Sequence, residues 1–194
     1  MALNDNAVLT AAVGYVYTAA VGTVAPTPTA LKTLNLETTS GWTPATWKLL
    51  GHTSRNDMPE FGFDGGDSEV KGTWQRKKLR EVTTEEPVDY LTLFLNQFDD
   101  DALGLYYGTN AVTTKGLFSV SGAGNAVVEK ALFVVIEDGS FRIGFHASKA
   151  SIKRDDAIQL PVDDLASLPI KATFLQHSTN PLFTWIQDDL FNQP

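Results

Sequence analysis

Apolar and polar side chains alternate with a period of two in several segments of the chain, which is the signature of half-buried strands. Val13–Ala19 is the first such run, with Val13, Tyr15 and Tyr17 on one face. Trp42–Ser54 predicts a short strand ending at Gly51, and Gly72–Arg80 predicts another with Trp74, Arg76, Lys78 and Arg80 on one face. Val88–Leu95 is apolar at almost every position and predicts a strand buried on both sides. The one helical period follows it: Asp99 supplies an N-cap, Leu103, Tyr106 and Tyr107 an apolar face, and Gly108 a stop, giving a helix over 100–107. Leu117–Ser121, Ala126–Glu137, Ser140–Ile152 and Ile170–His177 are again strand-like, and the Asp138-Gly139 step between two apolar runs predicts a hairpin.

Between these elements lie segments without a period. Residues 1–12 form an extended arm, and Gly22–Pro28 is a loop whose two prolines bar it from a paired strand. Residues 54–72 are polar and rich in glycine and aspartate, a long loop of the kind that is generally functional. Pro161 and Pro169 limit the acidic stretch Asp155–Leu168 to a turn of helix, and residues 178–194 form a C-terminal tail with no assigned conformation. No internal repeat or linker divides the chain, so residues 1–194 read as a single mainly β domain with one short helix.

Composition narrows the chemistry. The 194 residues carry 15 Lys and Arg against 23 Asp and Glu, a net charge of −8. That balance argues against sustained nucleic-acid binding, which needs cations to neutralise phosphates. The absence of cysteine excludes disulfides, thiolate zinc sites and thiol nucleophiles. The longest unbroken apolar run, Ala131–Ile136, is far shorter than the ~20 residues that span a bilayer as a helix, and the sequence predicts a soluble protein without an export signal.

No motif for catalysis emerges. Gly122-Ala-Gly124 lacks the third glycine of a dinucleotide fingerprint and precedes a strand where that motif needs a helix, so a turn is expected. His52, His146 and His177 lack metal-ligand spacing, and Asp64, Asp67 and Glu69 do not match a calcium loop. Asp99, Asp100 and Asp101 are explained by helix capping. No catalytic, cofactor or metal residues are therefore expected, and nothing argues for an enzyme. The cluster Lys71, Arg76, Lys77, Lys78 and Arg80 around Trp74 fits a subunit-contact strand on an acidic protein, half of an electrostatic contact with another copy.

The order Trp47-Lys-Leu-Leu-Gly51-His-Thr-Ser54, the Gly/Asp-rich loop, Val70-Lys-Gly-Thr-Trp74-Gln, Thr84-Glu-Glu86, and Tyr90–Leu95 running into an acidic helix that ends Tyr106-Tyr-Gly108 resembles the major tail tube proteins of long-tailed, siphovirus-type bacteriophages. The opening Met1–Gly14 with Ala25-Pro-Thr-Pro28 is similar in particular to tail proteins of phages infecting actinobacteria. The resemblance implies a β-sandwich or barrel-like domain with one flanking helix, in hexameric rings that stack into a virion tail tube assembled in the host cytoplasm. It further implies partners: other copies, a tape measure protein, terminator and tail-tip proteins, and double-stranded DNA passing through the lumen without sequence-specific binding. No immunoglobulin-like C-terminal domain is expected. The loop after the second strand would order against a neighbouring ring. On that basis Arg55, Asp57, Glu60, Asp64, Asp67 and Glu69 in the loop, with Lys71, Arg76, Lys78 and Arg80, are candidate subunit-interface residues.

Two readings compete with this one. A tube component of a related secretion or contractile system would share the fold. A β-sandwich ligand- or carbohydrate-binding module would use Trp42, Trp47 or Trp74 as stacking platforms.

Overall fold

Val13–Ala19 forms strand β1 over the predicted span. The computed structural model describes residues 4, 7–108, 111–122 and 127–191. In it β1 lies antiparallel to β9 (Val128–Asp138), from Val13 opposite Glu137 to Ala19 opposite Ala131. Both faces of this pair are covered. Val16, Leu132 and Val134 enter the main core, whereas Tyr17, Ala131, Phe133 and Val135 enter a second core behind it. Burial on two sides explains why β9 is apolar at successive positions from Ala131 to Ile136.

The chain returns as the 14-residue strand β10 (Phe141–Arg154), with Asp138 opposite Phe141. The hairpin is at the predicted place, but its two loop residues are Gly139 and Ser140, with Gly139 at φ 61°. A register shift between Ala147 and Ala150 bends β10. Along its other edge β10 pairs first with β12 (Thr184–Ile186) and then with β11 (Leu168–Phe174). Beyond β11 lie β6 (Val88–Leu95) and β3 (Glu60–Asp64). The other end of the sheet is β2 (Lys48–Leu49), paired with β1.

Residues 48–54 curl this sheet into a barrel-like form. Leu50 N–H donates to Val16 O at 2.8 Å, and Ser54 N–H then donates to Phe94 O at 2.7 Å, so the segment bonds β1 with one end and β6 with the other. Inside sit Leu91, Leu93, Leu95, Phe145, Ile152, Ile170 and Phe174. Helix α2 (Asp100–Tyr107) packs on this core with Asp99 as its N-cap and Gly108, at φ 83°, as its stop. Its buried face is Ala102, Leu105 and Tyr106, one step round from the predicted Leu103–Tyr106–Tyr107 face, whose Leu103 and Tyr107 are partly buried.

The second core is roofed by residues 20–47, which include a second, four-residue helix, α1 (Pro28–Leu31). Trp42 and Trp47 are each 2% exposed, and their indole N–H groups donate to Asn35 O and Val24 O. Arg142 ties the roof down by donating to Leu34 O at 2.7 Å and to Glu137 at 2.7 Å.

Several expectations are corrected. The short strand expected to end at Gly51 shrinks to Lys48–Leu49, because Trp42 and Trp47 are core residues of a loop rather than strand residues. Val88–Leu95 buries Leu91, Leu93 and Leu95 fully but leaves Tyr90, Thr92 and Phe94 only half-buried. Asp155–Leu168 holds bends and an isolated bridge between Gln159 and Ser167 in place of helix, and Pro169 sits second in β11. A further pair, β7 (Ala111–Thr114) with β8 (Leu117–Val120), includes a strand the pattern did not show. The turn expected at Gly122–Gly124 falls largely outside the described residues, as do the ends of both tails.

Candidate assembly interface

Residues 54–72 are not an unstructured loop. They contain β3 and β4 (Ser68–Lys71), which are the outgoing limb of a long two-stranded ribbon whose returning limb is β5 (Arg80–Thr83) and β6. The strand expected at Gly72–Arg80 is instead the tip of that ribbon. Thr73 and Arg76 exchange backbone bonds at 2.7 and 3.1 Å around Trp74 and Gln75, and only Arg80 belongs to a strand. Gly72 permits the crossing, since a Cβ there would stand 2.3 Å from Lys77 O. Trp74 at the apex is fully exposed.

The ribbon has two parts joined by a bend. At the base, Asp64 closes the β3–β6 ladder opposite Val88 and accepts a bond from Lys171 Nζ at 2.6 Å. That ammonium lies 3.6 Å above the Tyr90 ring, and the Asp64 contact raises its pKa. Gly65 and Gly66 follow at φ 78° and 83°, a conformation that suits glycine. The Asp67 carbonyl then accepts from Thr84 N–H at 2.8 Å and restarts the pairing. Beyond the bend every residue of β4 is exposed, and in β5 only Val82 is half-buried. An isolated two-stranded ribbon is marginal in water. This one gains no core from its own chain.

The structure separates the ten candidate residues into two groups. Arg55 and Asp57 lie just before β3, where Asp57 N–H bonds Ser54 Oγ at 3.0 Å; Glu60 and Asp64 lie on β3. Asp67 marks the bend, Glu69 and Lys71 pair at 3.0 Å on β4, and Arg76, Lys78 and Arg80 belong to the tip and its return. From Lys71 to Arg80 there are five cations and no carboxylate. Lys71 stands directly opposite Arg80, a like-charge cross-strand pair that disfavours the isolated ribbon.

Sequence reasoning missed the apolar features at the ribbon's base. Phe61 packs 4.7 Å from Phe145 and 5.2 Å from Trp185. It also lines, with Met58, Pro59, Gly14, Val134 and Ile136, a groove of about 190 Å³. No local pattern signals this groove, because it is created by barrel closure. The alternation of Phe61 and Phe63 in Glu60–Asp64 was the available sign of β3.

The stacking-platform reading loses Trp42 and Trp47, which are buried, and retains only Trp74. His146 is half-buried with Nε2 2.9 Å from Thr23 O, and burial lowers its pKa against that bond. Among the described residues, no group of three or more His, Asp or Glu side chains is placed to hold a metal ion, and no helix is long and apolar enough to cross a membrane.

Comparison with known proteins gives one consistent family. The model of the phage tail tube protein family matches residues 1–194. The major tail protein Gp23 of Mycobacterium phage L5 is 61% identical over 196 residues, covering 100% of this chain and 98% of the relative. The major tail protein Gp23 of Mycobacterium phage D29 is 62% identical over 193 residues, covering 98% and 96%. With a full-length family match and two mycobacteriophage tail proteins of this identity, the chain belongs to the phage tail tube protein family.

Proposed function

We propose that copies of this chain associate into rings, six to a ring, that stack as the tube of the virion tail, and that the exposed ribbon makes the contact between copies. The observation that carries this reading is the ribbon beyond the bend: two strands and a basic tip that bury almost nothing against their own chain. A protein that builds and keeps such an element gains from it only when another molecule covers it. Base and tip are different surfaces, so a contact between them is head-to-tail and extends into an open polymer. A net charge of −8 per copy disfavours tight binding of a polyanion and suits a conduit through which double-stranded DNA slides at ejection. The role is structural rather than catalytic. Tape measure, terminator and tail-tip proteins complete the set of partners, and the ten charged residues of the ribbon and its approach are interface residues in this account.

Replacing residues 66–85 by a two-residue Asn-Gly turn tests it. The barrel core draws nothing from that segment, so circular dichroism and the melting temperature are expected to stay near those of the full chain. Polymer growth, read by negative-stain electron microscopy, is expected to be abolished. Normal tubes from the shortened chain would overturn the ribbon's role.

A further inference from the structure

We propose that the groove beneath β3 is the receptor for the ribbon tip of a second copy, with Trp74 as the inserted anchor; this rests on the self-assembly reading above. The groove is walled by Gly14, Val16, Val134 and Ile136 on the strand pair β1–β9 and by Met58 and Phe61 on the approach to the ribbon. Its volume of about 190 Å³ exceeds the ~150 Å³ apolar cavity known to admit benzene, so an aromatic ring is a suitable occupant. Trp74 is the fully exposed aromatic at the apex of the ribbon. Burial of a large aromatic in a central apolar pocket is the commonest form of interface hot spot.

Charge makes the match specific. Arg55 is the charged residue of the groove's lining, and carboxylates lie just outside that lining: Asp57 and Glu60 flank Met58 and Pro59 in the chain, Asp164 accepts from Asn56 Nδ2 at 2.8 Å, and Asp138 accepts from Thr10 N–H at 2.8 Å. Around Trp74 stand Lys71, Arg76, Lys77, Lys78 and Arg80 without a carboxylate. Acceptors on the groove rim would also relieve the repulsion between Lys71 and Arg80.

In the structure the chain's own tip does not occupy the groove, since Trp74 is fully exposed. Trp74 lies 13 residues beyond Phe61, and a paired ribbon rises ~3.3 Å per residue, so tip and groove stand up to roughly 40 Å apart while the ribbon remains paired. The contact therefore joins two copies, and the same distance sets an upper bound on the step between them.

The natural chain has no cysteine, which makes disulfide trapping clean. Gln75→Cys chains, which keep the Trp74 anchor, are mixed with Met58→Cys chains under polymerising, oxidising conditions, beside a control mixture of Gln75→Cys with Thr38→Cys, an exposed position on the roof of the second core. The expected result is intermolecular cross-linking of the first pair at least tenfold above the control. Wild-type polymers with no such excess would overturn this inference alone, whereas a wild-type chain that never polymerises would overturn the assembly reading as well. An intramolecular link in the Val8→Cys/Met58→Cys chain that persists in the polymer would show the chain's own N-terminal arm in the groove and also overturn it. In parallel, Trp74→Ala is expected to raise the concentration needed for polymerisation about tenfold to a hundredfold with an unchanged melting temperature. Polymerisation of that variant at the wild-type concentration would contradict the anchor role.

Discussion

His146 shows how a single buried side chain sets a condition on the whole barrel. Its imidazole touches the Trp47 ring edge-on at 5.8 Å between centroids and meets the Thr23 carbonyl, in the seam where the roof joins β10. Burial favours the neutral ring, so its folded pKa lies below the ordinary ~6.5. The stability this contributes is present above the unfolded pKa and is lost as pH falls through the folded one, because the unfolded chain takes up the proton first. The melting temperature is expected to fall between about pH 7.5 and pH 5.5, and His146→Gln is expected to flatten that fall. Equal slopes in the two proteins by differential scanning calorimetry would contradict it. None of this was visible in a histidine without metal-ligand spacing. The same holds for Trp42 and Trp47, for which the sequence leaves a surface platform as the weaker alternative to core: whether an indole is inside depends on what folds over it, here residues 20–47.

At the scale of elements, the strands that bury a face were legible and the strands that bury nothing were not. β1, β6, β9, β10 and α2 announce themselves because one side or both must be apolar to pack. β4 is exposed throughout and β5 almost so, and their sequence carries no such imprint, which is why the ribbon reads as a loop and its tip as a strand. The glycines in the middle were legible as part of a loop, but not as a bend within one continuous hairpin. That bend is a control point. At Gly65 a Cβ would stand 3.0 Å from the Glu86 carbonyl with φ at 78°. Gly65→Val is therefore expected to cost the local conformation ~1–2 kcal/mol and to redirect the distal ribbon. Since neither core is involved, the melting temperature should barely move while the concentration for polymerisation rises severalfold. An unaltered polymerisation curve would show that the direction of the ribbon is immaterial.

The whole molecule combines a closed, doubly cored barrel with one long uncovered projection. The barrel holds both cores; Arg142, Asp64–Lys171 and the capped α2 hold its parts in register. The projection separates a largely apolar groove at its base from a basic, tryptophan-tipped end, and the proposed contact joins the two in different copies. Family membership was legible from the order of short segments along the chain, whereas the groove was not, since it draws residues from the N-terminal strand, the ribbon approach and β9 together. The most direct test of the account is electron microscopy of the purified full-length chain across a concentration series, with and without purified virion tails as seeds. Tubes with an open lumen, a regular axial repeat no longer than the reach of the ribbon, and ribbon density seated on the next subunit are the predicted result. A chain that stays monomeric at every concentration, seeded or not, would contradict it.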